Sequence, residues 1–305
     1  MKRKILICLC AVLALALLAA GASAAYIHHM LGKIHREEPA VDATASQPLE
    51  TAPSEATAPT EPADVTLNFL LIGQDKRPGE SRQRSDVMIL CTVDPQTGAV
   101  TLTSLQRDML LPIPGHGERR LNAAYQLGGM QLLEQTLLEN FGLSVDGMVA
   151  VDFDGFSNIV DMLEGVELTL TEAEAEALLL QPGPQRLDGR QALAYARLRS
   201  IDSDFQRTGR QRAILTALLE QNRDISPARL HSILSACLSL TTINMTDSQI
   251  LDYALALFPR LKDLTITSGA LPMAGQYTEA VVAGKEVLIP DLEQISQTLR
   301  EITGE

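Results

Sequence analysis

Between Tyr195 and Arg212 the segment YARLRSIDSDFQRTGRQR carries five arginines, Arg197, Arg199, Arg207, Arg210 and Arg212, in a chain whose formal net charge is −13. The chemistry that such density suits is anion capture. Guanidinium forks grip phosphate or carboxylate through two parallel hydrogen bonds, where an ammonium offers only a point charge, and this chain holds 19 Arg against 6 Lys. The bland alternative is an Arg-rich composition on a solvated helix face. Spacing argues against it. Arg207 lies three residues before Arg210 and four before Gln211, so the three share a helical face. Ile214, Leu215, Leu218 and Leu219 continue the helix with an apolar side that can hold that face still. Arg197, Arg199, Arg207 and Gln211 read as ligand contacts, Arg210 is left unassigned, and Arg212 reads as solvated.

A second polar constellation lies near Asp75 and Arg77, Arg84 and Asp86, and Arg107 and Asp108. Each pair taken alone is explained as a loop carboxylate or a surface ion pair. Their repetition beside three apolar strand-like runs is the informative feature, because strand ends line ligand crevices in α/β proteins. Two carboxylates among several arginines suit a phosphate ester held with a divalent cation. Mg²⁺ takes oxygen ligands, commonly one or two carboxylates plus phosphate oxygens and water, and metal and guanidinium together offset charge on a phosphoryl group as a bond breaks. No P-loop and no Ser-His-Asp or Cys-His arrangement competes. His28, His29 and His35 cluster near the N-terminal apolar run, and His116 and His231 stand alone, so histidines make no metal site. Cys91 and Cys237 sit singly in apolar segments and read as small buried hydrophobes, with a disulfide between them left open.

The elements that must position these groups are legible in outline. Leu67 to Ile72 is a continuous apolar run ended by Gly73, as in a buried strand. Val87 to Val93 and Val100 to Leu105 flank a turn at Asp94 to Gly98. Asn122 to Phe141 predicts a helix closed by Gly142. Met148 to Phe153 and Val166 to Leu170 predict strands around a short helix at Phe156 to Leu163. Asp188, with Gln191 three residues on, predicts a capping box for a helix running to about Arg199, and Asp204 is expected to cap the next. Helices follow at Pro227 to Ser239 and Asp247 to Phe258, then strands at Leu264 to Thr267 and Val287 to Ile289, and a last helix from Pro290 to Ile302. Residues 65–305 therefore read as one α/β domain.

The N-terminus lies outside that domain. Lys2, Arg3 and Lys4 precede an uncharged run from Ile5 to Ile27, which as a helix spans about 34 Å against a hydrocarbon core of about 30 Å. It reads as a transmembrane anchor with residues 1–4 in the cytoplasm and the rest outside. A cleavable signal peptide processed near Ala22-Ser23-Ala24 is the competing reading. Residues 28–64 are expected to form a disordered extracellular tether, since Glu37 to Asp64 holds seven carboxylates, no basic residue and abundant Pro, Ala, Thr and Ser. Residues 65–305 carry 31 carboxylates against 20 cations, which argues against a nucleic acid partner.

These motifs resemble those of the LytR-CpsA-Psr family of bacterial envelope phosphotransferases. The matching segments are NFLLIGQDKR (Asn68 to Arg77), RSD (Arg84 to Asp86), SLQRD (Ser104 to Asp108), NAAYQLGG (Asn122 to Gly129), VDFDGF (Val151 to Phe156) and LDGRQALAYARLRSIDSDFQRTGRQ (Leu187 to Gln211). The resemblance implies an α/β fold with a central mixed β-sheet flanked by helices, behind one N-terminal transmembrane helix. It implies a cell-membrane enzyme that transfers a glycopolymer, such as teichoic acid or capsule, from a polyprenyl pyrophosphate carrier to a sugar hydroxyl of peptidoglycan, leaving polyprenyl phosphate. By the same resemblance Asp75 and Asp86 hold Mg²⁺. Arg84, Arg107, Arg197, Arg199, Arg207 and Gln211 surround the pyrophosphate, and an apolar tunnel takes the prenyl chain. Asp75, Arg107, Asp108 and Arg199 are the expected catalytic groups, Asp108 as a residue that orients or deprotonates the acceptor.

Two positions depart from the family pattern. Gln106 stands where a proline is usual and restores a backbone donor. Glu164 replaces the first of two glycines and loses a permissive residue beside the next strand. Two further functions remain in play: hydrolysis of the prenyl pyrophosphate with water as acceptor, and a noncatalytic module that binds prenyl phosphates. The paired Asp75 and Asp86 argue against the second, because lipid capture alone needs only the arginines and the tunnel.

Overall fold

A computed structural model describes residues 35–36, 66–75, 84–199, 201 and 203–304. The expected anchor at 5–27 and most of the expected tether lie outside these residues. Among the described residues no helix is long and apolar enough to cross a membrane.

In chain order the elements are β1 (His35–Arg36), β2 (Leu67–Asp75), β3 (Arg84–Val93), β4 (Ala99–Leu105), β5 (Leu110–Ile113), β6 (Gly117–Arg120), α1 (Asn122–Phe141) and β7 (Gly147–Asp152). Then come α2 (Phe153–Met162), β8 (Val166–Leu170), α3 (Glu172–Leu178), β9 (Gly183–Leu187), α4 (Gly189–Ala196), α5 (Asp204–Gln221) and α6 (Pro227–Leu240). The chain closes with β10 (Thr241–Ile243), α7 (Asp247–Leu257), a 3-10 turn (Phe258–Asp263), β11 (Thr265–Leu271), β12 (Tyr277–Val282), β13 (Lys285–Pro290) and α8 (Leu292–Thr303). Seven strands form a mixed sheet in the order β1-β10-β7-β2-β3-β4-β11. β2 runs parallel to β7, and β4 parallel to β11, while β3 runs antiparallel to both β2 and β4. The C-terminal ends of β2, β4, β7 and β11 and the start of β3 consequently share one end of the sheet.

Local sequence explains most boundaries. Gly142 closes α1 in the left-handed region (φ 70°) and its N–H donates to Leu138 O. The Asp188–Gln191 capping box is formed at the start of α4, which ends at Ala196 rather than near Arg199. Helix α2 begins three residues earlier than expected because the Asp152 side chain accepts from the Gly155 N–H. Helix α1 is interrupted at Gly128 and Gly129, whose angles are non-helical; a glycine pair without Cβ atoms is a recognised cause of such a kink. β8 pairs only with β9, outside the main sheet. His35 and Arg36, within the segment expected to be tether, pair in parallel with Thr242 and Ile243 of β10. Cys91 and Cys237 are both free thiols.

The two faces of the sheet are packed differently. On one, Leu70, Ile72, Met88 and Leu90 are all 2% exposed or less and pack with Leu133 and Leu137 of α1 and Leu299 of α8 in the largest core cluster. On the other, Ile89, Val93, Val100 and Leu102 are buried in a second cluster, while Phe69, Leu71 and Val87, beside them on β2 and β3, are only half-buried. Above them α5, α6 and α7 contribute Leu215, Leu238, Ile250 and Leu257 to two smaller clusters. Those half-buried side chains make a narrow, shallow apolar trough beside the buried patch.

Candidate functional site

The trough leads to the sheet end where the conspicuous polar residues converge. β2 runs on to Asp75 and β3 begins at Arg84, so both lie inside paired strands, Asp75 opposite Arg84. Register shifts between Gly73 and Gln74: Gly73 pairs with Val87 and Gln74 with Ser85, leaving Asp86 as the extra residue. Such a bulge re-aims one side chain. Here the bulged residue is a carboxylate, and Arg107, just past β4, donates from its NH1 to Asp86 Oδ1 at 2.7 Å.

Arg107 is the hub. Its NH2 lies 3.4 Å from Asp204 Oδ1 and its Nε 3.5 Å from Asp108 Oδ2. Burial works against its charge, but Asp204, Asp108 and Asp86 outweigh that and hold its pKa above the ordinary arginine value. Asp108 is itself held by Arg120 NH1 at 2.6 Å, which ties the strand-end cluster to β6.

Asp204 corrects one expectation. Ser203 caps α5, accepting from the Gln206 N–H, and Asp204, one residue later, turns its carboxylate to Arg107 and Arg207. Arg207 is 3% exposed. Its NH1 is 2.5 Å from Asp204 Oδ1, yet neither terminal nitrogen makes an aligned hydrogen bond among the described residues. Burial first, then Arg107, and also Arg199 pull its pKa down to about 10, with Asp204 and Asp86 opposing. A buried guanidinium with unsatisfied donors and two cationic neighbours is short of negative charge. Gln211, one turn on, donates to Ala196 O at 3.2 Å while its Oε1 has no hydrogen bond among the described residues.

The remaining arginines of the stretch divide by burial. Arg197 and Arg199 are exposed at the rim beyond α4, with Arg197 stacked 4.4 Å over the Phe153 ring. Arg210 is a structural residue, donating from NH2 to Leu198 O at 2.8 Å. Arg212, expected to be solvated, instead reaches across to β4 and donates to Ser104 Oγ at 2.6 Å, its pKa lowered by burial. That pairing is a long-range contact between α5 and the sheet, which helical periodicity does not encode. Arg84 is placed by its backbone, and Arg77 lies outside the described residues.

Sequence reasoning missed two supporting groups, Asp204 as a partner of both arginines and Arg120 as the partner of Asp108; the backbone donor expected at Gln106 is present and used. Gln106 is 2% exposed. Its N–H donates to Leu271 O at 2.8 Å and its side chain to Thr208 Oγ1 at 3.2 Å, so the residue that replaces the usual proline joins β4 to both β11 and α5. Glu164, the other departure, adopts the left-handed conformation with φ 66° and Gly165 follows at φ 86°. The turn keeps a glycine-like backbone without the glycine.

A model of the LytR_cpsA_psr family matches residues 31–302. The chain belongs to this family. TagT of Bacillus subtilis, the polyisoprenyl-teichoic acid–peptidoglycan teichoic acid transferase, is 32% identical over 179 residues, 54% of this chain and 56% of TagT. The match therefore spans little more than half of that relative. The regulatory protein MsrR of Staphylococcus aureus is 29% identical over 222 residues, 71% of this chain and 67% of its own. Among solved structures, TagT bound to LIIa-WTA superposes with a TM-score of 0.65 at 26% identity, covering 79% of this chain and 92% of TagT. Protein gbs0355 from Streptococcus agalactiae gives 0.67 at 26%, covering 79% and 89%. The mixed sheet flanked by helices is the architecture of this family.

Proposed function

We propose that this family member transfers a glycopolymer from a polyprenyl pyrophosphate carrier to a peptidoglycan sugar hydroxyl, releasing polyprenyl phosphate. The observation that carries the reading is Arg207: a buried guanidinium paired with Asp204 but without an aligned hydrogen bond from either terminal nitrogen among the described residues, beside Arg107, within electrostatic reach of Arg199 and of Asp86, which directly precedes the half-buried Val87. A diphosphate supplies the missing charge and a prenyl chain fills the trough, so one amphipathic ligand satisfies both. The similarity to a polyisoprenyl-linked teichoic acid transferase supports the same ligand class.

In this reading Arg207, Arg199, Arg197, Arg84 and Gln211 bind and orient the diphosphate, and Arg107 bridges it to the carboxylates. The acceptor hydroxyl attacks the phosphorus that bears the glycan. A new P–O bond forms to the acceptor, the P–O bond to the prenyl phosphate breaks, and the hydroxyl proton passes to a carboxylate, for which Asp108, anchored by Arg120, is the candidate. Asp75 and Asp86, at the ends of adjacent strands, make a donor set suited to Mg²⁺, which takes few carboxylates and completes its shell with phosphate oxygens and water. Bound there, Mg²⁺ would offset charge on the phosphoryl oxygens.

The test is transfer by the full chain from a lipid-linked donor to peptidoglycan. Arg107→Ala and Arg199→Ala should each cut transfer severely while the circular dichroism of the fold is retained; turnover like the wild type in both rejects the site. Release of free glycan phosphate at one rate with or without peptidoglycan would identify a hydrolase instead.

A further inference from the structure

We infer that β1 is a short leash that holds the site end of the sheet against the membrane, so that the anchor meets the domain at residue 35 and not at residue 65. The inference rests on the apolar run Ile5 to Ile27 being a membrane anchor. Three observations carry it. First, only residues 28–34 separate that run from β1, and eight Cα steps reach about 28 Å at most. Second, β1 has a direction. It is parallel to β10, which is antiparallel to β7, with His35 opposite Thr242 and Thr242 opposite Ala150. The chain therefore enters β1 from the end of the sheet where β2 and β7 finish, which is the end that carries Asp75, Asp86 and Arg107, and leaves toward the opposite end. Third, β1 is fastened: beyond its pairing, the Arg36 guanidinium contacts Asp247 at the start of α7.

The partner is a lipid surface, and charge is consistent with this orientation. The seven carboxylates of Glu37 to Asp64 follow β1 and precede β2, whose first residue, Leu67, pairs with Val93 at the end away from the site. An anionic membrane repels carboxylates, and this topology puts both strands that flank the segment, at Arg36 and Leu67, with their connecting ends away from the site. β2 alone rises about 27 Å from end to end, so the two ends of the sheet stand at clearly different heights above the bilayer. A lipid-linked diphosphate would then reach the arginines without leaving the surface.

The chain contains no Trp, which makes single-Trp reporters clean. We would reconstitute the full chain in vesicles of phosphatidylethanolamine and phosphatidylglycerol carrying a dansyl-headgroup lipid. Met273→Trp, just beyond β11 at the site end, should transfer energy to dansyl several-fold more efficiently than Gln96→Trp, in the β3–β4 turn at the far end. A ten-residue Gly-Ser insertion between Leu31 and Gly32 should lower the Met273→Trp signal, whereas the same insertion between Glu55 and Ala56 should leave it unchanged. Equal or reversed transfer from the two positions, or equal sensitivity to the two insertions, overturns the leash while leaving the anchor intact. Failure of the full chain to float with the vesicles overturns the anchor itself, and the leash with it, but leaves the reading of the site untouched.

Discussion

The two faces of one sheet carry opposite designs. On the closed face, Leu70, Ile72, Met88 and Leu90 are shut under α1 and α8; on the more open face, Ile89 is buried but Phe69, Leu71 and Val87 around it remain half-buried under α5, α6 and α7. The same strands supply both, by simple alternation. The closed face gains stability from close packing. The open face gives up some of that burial, and its polar rim buries Arg207 without enough hydrogen bonds. One amphipathic ligand would complete both, as proposed above, and the contrast can be broken experimentally.

The largest expected difference is in stability. Leu90→Ala on the closed face should cost about 2–5 kcal/mol, from lost transfer energy plus a cavity. Leu71→Ala on the open face, whose side chain is already part-exposed, should cost roughly 1 kcal/mol or less. Chemical denaturation of both variants reads the difference; equal losses would mean that the trough is ordinary core.

Next comes a change in function at the open face's mouth. Arg107→Ala should lower transfer by about 10²- to 10³-fold, the range seen when one preorganised charge-stabilising donor is removed. Binding of a prenyl pyrophosphate should weaken less, because Arg207 and Arg199 remain. A loss confined to binding would move Arg107 from the reaction to simple capture.

Arg207→Met should show the trade-off most plainly: pyrophosphate binding falls about tenfold or more while the thermal midpoint of the ligand-free protein holds or rises, since burial and Arg107 disfavour the charge. The sign follows from linkage. Burial and Arg107 pull the Arg207 pKa down to about 10, below the ordinary arginine value, so in the window between the two the unfolded chain binds more protons and stability rises with pH. Below the window the cost is constant, and this group contributes no slope near neutrality. A midpoint lowered by the substitution would mark Arg207 as structural.

The smallest effect is expected at Gln106. Gln106→Pro removes a backbone donor to Leu271 O and the side-chain bond to Thr208, together worth about 1–2 kcal/mol. A variant as stable as the parent would show that the usual proline is compensated elsewhere in this chain.

Much of this was legible in the sequence, for identifiable reasons. Strand runs such as Leu67 to Ile72 and helices such as Asn122 to Phe141 are set by local periodicity and glycine punctuation, and they form within a few residues of their expected bounds. The arginine density and the repeated Arg/Asp pairs pointed to groups that meet at one end of the sheet, because both are sequence-local signals. What depends on distant contacts was not readable. Arg212 to Ser104, Arg120 to Asp108 and Asp204 to Arg107 join elements 12 to 108 residues apart. The short strands β1 and β10 carry too few residues for a pattern, and the bulge at Asp86 exists only through its pairing with β2. The trough was equally hidden: alternation says which residues share a face, but not that one face is left part-open.

The central claim is that the arginine cluster and the open face bind one ligand, a prenyl chain ending in phosphate. Mass spectrometry of lipids that co-purify with the full chain tests it most directly. The account predicts a polyprenyl phosphate or pyrophosphate on the wild type, and its loss from Arg207→Met. A wild-type protein free of prenyl lipid, or a variant that retains it undiminished, would contradict the claim.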